Sequence, residues 1–155
     1  MIAHCEITLA LLTDAIKIAA LSRDAIEHGL QWSWTAQRVR RNLRDAATNV
    51  IVARHGSTLS GFAIMKYSEQ EAHLLLLAVH SAWRRQGVGT ALLAWLERTT
   101  RVAGIDLIKL ETRARNSAAH TFYGLHGFTE TGRQEGYYQG VEDAVRMAKS
   151  FRPCI

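Results

Sequence analysis

Apolar residues along the chain change period several times, and each change marks an element. Residues 2–9 alternate in part through Cys5, Ile7 and Leu9, which predicts a first strand. Thr13 stands where a cap is needed, and Ile16, Ala19, Ala20 and Ile26 then drift along one face, predicting a helix that ends near His28-Gly29. A second, short helix is predicted after Thr35, with Val39 and Leu43 four apart and Arg38, Arg40, Arg41 and Arg44 mostly outward. Residues 49–54 (NVIVAR) and 59–67 (LSGFAIMKY), split by His55-Gly56-Ser57, predict a hairpin. Residues 72–79 (AHLLLLAV) are a continuous apolar run, the pattern of a mid-sheet strand with both faces covered.

From Val88 helical spacing takes over, at 88, 91, 92, 95, 96, 102 and 103, as far as a stop at Gly104. Residues 107–112 (LIKLET) read as a strand with Leu107 and Leu110 out of phase. Asn116 is placed to cap a helix through His126, with Ala119, Phe122 and Leu125 as its core residues and Gly127 as its end. Residues 128–134 and 144–151 predict a last pair of strands, joined by a Gly- and Tyr-rich loop at 135–143. No internal repeat or low-complexity linker appears, and the one proline is Pro153. The alternation of strands and helices predicts an α/β (α+β) fold, a mixed sheet with helices on both faces.

At 155 residues and 48% hydrophobic, the chain closes one core, so residues 1–155 are expected to be a single domain. Lys and Arg number 19 against 14 Asp and Glu; the net charge of +5 favours an anionic ligand such as a nucleotide, a phosphorylated cofactor or RNA. The basic residues are scattered, so nucleic acid is not expected as a direct ligand. Cys5 and Cys154 stand at opposite ends and the histidines show no ligand spacing, so neither a metal site nor a disulfide is expected. No apolar run is long enough to span a bilayer and no cleavage pattern follows the N-terminus; the expected location is the cytoplasm, away from membranes.

The candidate chemistry starts at residues 84–99, RRQGVGTALLAWLERT, where two arginines and two glycines run into a helix. A P-loop requires Lys-Ser/Thr after its last glycine, and here Gly89 is followed by Thr90-Ala91. A dinucleotide fingerprint fits only in part. Glu111 is suitably far downstream, but Leu92 takes the third glycine position and seven residues separate Val79 from Gly87. The remaining reading is a loop, residues 80–86, that carries Arg84 and Arg85 to a helix N-terminus whose free N–H groups and dipole favour a pyrophosphate. A Cβ at Gly87 or Gly89 would hold such a ligand off the backbone. Alone, Gly-x-Gly fits an ordinary tight turn into a helix equally well.

Arg84-x-x-Gly87-x-Gly89, set between an LLAV strand and an amphipathic helix, resembles the acetyl-CoA motif of the GNAT superfamily of N-acetyltransferases. The likeness covers residues 72–151, and residues 110–128 (LETRARNSAAHTFYGLHGF) and 137–147 (YYQGVEDAVRM) resemble more narrowly its RimI-type ribosomal-protein alanine N-acetyltransferases. The chain departs at His80-Ser81, where the family usually has a proline, and at Trp34-Thr35, where Pro-Trp-Ser is common. The resemblance implies a GNAT fold with a mostly antiparallel sheet, an acetyl-CoA core at about 72–134, and acceptor elements at about 28–45 and 135–145.

It also implies site residues. Leu77, Ala78, Val79, Arg84, Arg85, Gln86, Gly87, Val88, Gly89, Thr90, Asn116 and Tyr123 would bind acetyl-CoA, leaving coenzyme A as product. Glu111 would be the general base through a water, Tyr123 the general acid for the departing thiolate, and backbone N–H near Ala78 and Val79 the oxyanion donor. Trp34, Tyr137 and Tyr138 would contact the acceptor, with Trp32 beside them or packing the turn between the first two helices. Without the motif, Tyr123 reads as a half-buried core aromatic and Glu111 as a surface carboxylate. The expected activity is acetyl transfer to a primary amine, foremost the N-terminal α-amine of a protein such as a ribosomal subunit. The alternatives are a small amine (polyamine, amino acid or antibiotic) and an acyl-CoA sensor without turnover. The expected assembly is a monomer or homodimer.

Overall fold

The structure, a computed structural model, describes residues 5–152; Pro153, Cys154 and the first residues of the predicted 2–9 strand lie outside the described residues. Seven strands form one sheet in the order β1-β2-β3-β4-β5-β7-β6. They are β1 (Glu6–Leu9), β2 (Thr48–His55), β3 (Thr58–Tyr67), β4 (Ala72–Val79), β5 (Leu107–Arg113), β6 (Thr129–Tyr138) and β7 (Glu142–Ser150). Only β4 and β5 pair in parallel; every other neighbour is antiparallel. Helices α1 (Ala15–Ala25) and α2 (Ala36–Leu43) cover one face, and α3 (Val88–Val102) and α4 (Ser117–Leu125) the other. Among the described residues no helix is long and apolar enough to cross a membrane.

Strand β3 is the shared wall of the two cores, because successive side chains point to opposite faces. Phe62 and Ile64 face α1 and α2, whereas Ala63 and Met65 face α3 and α4. Burying one such Phe, Ile or Met contributes about 1.5–3 kcal/mol. Strand β4 starts in the phase that sends Ala72 and Leu74 to the α3 side. A bulge opposite Ile64/Met65 then leaves Leu75 without a cross-strand partner. The phase inverts there: Leu76 and Ala78 face α1 and α2, and Leu77 and Val79 turn toward α3.

Several sequence expectations need correction. Strand β4 contributes to the cores on both faces, but unevenly: buried residues alternate with half-buried His73, Leu75, Leu77 and Val79. Thr13 does not cap α1; it sits in a 3-10 turn (Leu12–Asp14), and Asp14 accepts from Leu11 N at 2.7 Å while pairing with Arg54 at 2.5 Å. The buried face of α1 is Ala15, Ile18, Ala19, Leu21 and Ser22, with Ile16 left exposed. In α3 the face is Val88, Leu92, Leu93, Leu96 and Thr100, and Val102 and Ala103 emerge into solvent as the helix ends. In α4 the buried residue is Tyr123, and Leu125, about 200° further round the helix, is exposed. In β5 the inward phase is Ile108, Leu110 and Thr112, with Leu107 half-buried. The predicted 135–143 loop is mostly strand: β6 and β7 run into it, and only residues 139–141 turn, with Gln139 and Gly140 at positive φ.

Candidate active site

Strand β4 leads into the first half of the site. After Val79, His80 N donates to Ser60 O (2.7 Å), and a 3-10 turn (Ser81–Trp83) is pinned by Trp83 stacking on His55 at 3.9 Å. The chain then passes through left-handed conformations at Arg85 (φ 62°) and Gly87 (φ 82°), which leaves Arg84 and Arg85 exposed beside the start of α3. Gly87 is the N-cap and supplies no side-chain acceptor. The first helical bond runs from Ala91 N to Gly87 O at 3.0 Å, so the N–H groups of Val88, Gly89 and Thr90 have no partner within the helix. Nothing lies within 4 Å of a Cβ built on Gly87. An open positive end flanked by two arginines fits a diphosphate. At Gly89 internal packing enters as well: a Cβ there would meet the Phe122 ring of α4 at 3.2 Å, a tight contact that the ring would have to yield to. Thr90 Oγ1 is occupied by His126 Nε2 at 3.1 Å.

The second feature is a gap in the sheet. Strand β5 pairs with β4 only from Ala72 to Leu74, and from there follows β7 as far as Arg113. Residues 75–79 therefore keep β3 on one side and have no strand on the other. Ala78 and Val79 lie on this open side, leading into the loop that reaches α3. Tyr123 packs at the α4 side against Phe122 and Phe128, edge to face. It is buried to 7% exposure, and burial alone pushes its phenol above the usual range. At neutral pH it stays protonated. Asn116 caps α4, its Oδ1 accepting from Ala119 N at 3.1 Å.

On the opposite face, a cavity of about 270 Å³ is lined among others by Glu27, Trp34, Arg38, Glu111, Tyr137 and Tyr138. Glu111 Oε1 lies 2.6 Å from His73 Nε2 and accepts from the Tyr137 hydroxyl at 3.0 Å. Burial pushes the Glu111 carboxyl up, but His73, Tyr137 and Arg146 together outweigh it and hold the group below the usual carboxylate range. Tyr137 is raised by burial and by Glu111; Tyr138 is raised by burial first, then by Tyr137 and Glu111, with Tyr123 contributing. The carboxylate is thus ionised beside protonated phenols. Trp34 lines the cavity, whereas Trp32 packs outside it, donating to Ala19 O at 3.2 Å.

Four further residues assemble this cavity and went unnoticed in the sequence. His73 breaks an apolar run, but only the fold reveals its partner 38 positions away. Glu27 is buried and accepts from Ser33 N (2.8 Å), Trp34 N (3.2 Å) and the Ser33 hydroxyl, fixing the segment between α1 and α2. Arg113 donates to Ile26 O (3.0 Å) and His28 O (2.6 Å) and pairs with Glu142, which ties that segment to β7. Gln139 closes the rim: its amide donates to Gln31 O (2.7 Å) and its Oε1 accepts from Gln31 N (3.0 Å). Among the described residues no cluster suited to a metal ion is present.

Residues 18–151 match the acetyltransferase (GNAT) domain family. The chain belongs to the GNAT acetyltransferases. It is an acetyl-CoA-dependent N-acetyltransferase with the GNAT fold. It is 34% identical over 118 residues to the [ribosomal protein bS18]-alanine N-acetyltransferase of Escherichia coli K12, covering 74% of this chain and 79% of that one. The crystal structure of the E. coli ribosomal-protein-S18-alanine N-acetyltransferase superposes with a TM-score of 0.83 at 28% identity, over 98% of this chain and 97% of that one. An aminoalkylphosphonate N-acetyltransferase of Salmonella typhimurium is 27% identical over 133 residues, 82% of this chain and 86% of that one. In this GNAT chain the uncapped start of α3, the gap after Leu74 and the Glu111 cavity follow one another from one sheet face to the other.

Proposed function

We propose that this GNAT enzyme acetylates the N-terminal α-amine of a protein, with a ribosomal protein as the first candidate, in the cytoplasm. Acetyl-CoA supplies an activated acyl thioester. The loop at 84–90, with Arg84, Arg85, Gln86, Gly87, Val88, Gly89 and Thr90, holds its diphosphate, and Leu77 and Asn116 flank the pantetheine arm. The oxyanion donor lies in the backbone near Ala78 and Val79; with His80 N bonded to Ser60 O on β3, alternation along β4 turns the Val79 N–H to the open side. Tyr123 donates the proton that the departing thiolate requires. Trp34, Tyr137 and Tyr138 wall the acceptor.

The observation that carries the choice of acceptor is the state of Glu111, a carboxylate held ionised and low by His73 and Tyr137. Such a group is a weak base, so it suits an amine that gives up its proton readily. Neutralising an α-amine of pKa about 7.8 at pH 7 costs about 1 kcal/mol, against about 5 kcal/mol for a lysine of pKa about 10.4. The likeness to a ribosomal-protein alanine N-acetyltransferase supports the same reading.

The test is thiol release from acetyl-CoA with peptides beginning in Ala or Ser, N-blocked lysine peptides, and polyamines. Turnover is expected on the free N-terminal peptides. Turnover confined to polyamines would replace the reading with a small-molecule acetyltransferase. No release with any amine would favour a sensor.

A further inference from the structure

The groove that accepts the amine carries opposite charges at its floor and at its rim. Glu111 and Glu27 stand inside, Glu27 engaged by Ser22, Ser33 and the Trp34 backbone. Arg38 lines the same cavity and also a shallow depression that continues outward past Arg41, Asn42 and Asp45. Asp45 is the one acid there, and it already accepts from Ala47 N (2.9 Å) and the Thr48 hydroxyl (3.0 Å), with Lys66 at 3.9 Å. Among the described residues Arg38, Arg40, Arg41 and Arg44 make no ion pair, although nine of the protein's ten ion pairs there involve an Arg or Lys elsewhere.

Arg38 is held in place. Its guanidinium stacks at 3.9 Å over the Trp34 ring, so its fork is oriented before any ligand arrives. Burial leaves it short of solvation and outweighs the support of Glu27, while Arg41 beside it adds a smaller like-charge effect. Arg41 lies three residues on and shares the same side of α2. An extended peptide advances about 3.3 Å per residue, so a chain whose first amine reaches Glu111 brings its next few side chains past Arg38 and then Arg41.

We propose that Arg38 and Arg41 select acceptors carrying acidic side chains at residues two to four, so that the substrate is a protein with an acidic N-terminus. This rests on the α-amine reading above. The partner is recognised by an ammonium group followed within a few residues by carboxylates, matching a groove that is acidic inside and basic at its mouth.

Three peptides test it, each beginning in Ala and carrying Asp and Glu, Ser, or Lys at residues two to four. The acidic peptide is expected to have kcat/KM roughly three- to tenfold above the Ser peptide, the range for one or two partly exposed charge pairs. The difference is expected in KM, and to shrink with added salt. Arg41→Glu is expected to invert the ranking of the acidic and Lys peptides, while Arg98→Ala on α3 leaves the ranking as it was. Equal kcat/KM for all three peptides, or preference for the Lys peptide, overturns the proposal and leaves the α-amine reading standing. Turnover of polyamines but of none of the peptides overturns both. Inhibition by a short RNA as strong as by an N-blocked acidic peptide reassigns the arginine face to nucleic acid and overturns the proposal.

Discussion

In the proposed reading Glu111 and Tyr123 are the two ends of the proton path, and their surroundings differ. Tyr123 is protonated because burial opposes the phenolate, so Tyr123→Phe removes a donor while keeping the ring packed on Phe122 and Phe128. A fall in kcat of about a hundredfold or more is expected, with acetyl-CoA affinity by calorimetry little changed. Glu111 is low because His73 and Tyr137 donate to one oxygen and Arg146 adds positive charge, against the effect of burial. Removing His73 takes away the largest opposing influence, so in His73→Ala the Glu111 pKa must rise. Carboxyl carbon shifts would register this as a titration midpoint at higher pH, and log kcat/KM would steepen below neutral pH at a higher onset than in the wild type. An unchanged midpoint would leave His73 with a packing role only. Both Glu111 and Tyr123 were singled out in the sequence by the motif that surrounds them. His73 was not, because nothing local distinguishes a histidine that meets a carboxylate across a parallel strand pair from one that faces solvent.

Element boundaries were legible where a clear break separates two apolar runs, as at His55-Gly56-Ser57 in the β2–β3 hairpin, and the pattern of facing was not where a local device changed the phase. In β4 the bulge at Leu75 inverts the phase, so Ala72 and Leu74 enter one core and Leu76 and Ala78 the other, which four consecutive leucines cannot reveal. The turn after Tyr138 failed for another reason: glycines and tyrosines suggested a loop, yet cross-strand pairing with β7 keeps the segment extended. The same limit hid Gly61, inside the predicted strand 59–67. A Cβ there would meet Ala78 O at 2.9 Å and side-chain carbons of Val88 and Leu92 at 3.2 Å, so α3 and β4 close on β3 only because the position is glycine. Backbone cannot swing aside as a side chain can. Gly61→Ala is expected to cost about 1–3 kcal/mol, read as a lower urea midpoint, and to weaken acetyl-CoA binding by displacing the strand that carries Ala78 and Val79. Gly132→Ala in β6, where nothing lies within 4 Å, serves as the control and should move the midpoint little.

Across the whole molecule, in the proposed reading, the two substrates approach from different faces, and the cavity on the acceptor side is built from segments far apart in sequence. The stretch between α1 and α2 and the turn between β6 and β7 meet through Gln31 and Gln139, 108 residues apart, with Arg113 bracing the same two walls from below. Gln139 holds this clasp at φ 57°, a left-handed conformation that disfavours a side chain by about 1 kcal/mol. Gln139→Gly therefore cuts both hydrogen bonds while relieving the backbone, and the relief is offset by the greater freedom glycine gives the unfolded chain. Thermal stability should stay close to that of the wild type. Acetyl-CoA affinity should stay close as well, because the 84–90 loop and α4 are assembled without the clasp. What should change is KM for an N-terminal peptide, rising several-fold as the acceptor groove loses its closed rim. An equal loss of coenzyme affinity would mean that the clasp supports the whole gap between β4 and β5, and a peptide KM that does not move would mean that acceptors enter elsewhere. Either result bears on the rim, since Arg38 and Arg41 can select a peptide only if it leaves the cavity beneath Gln139.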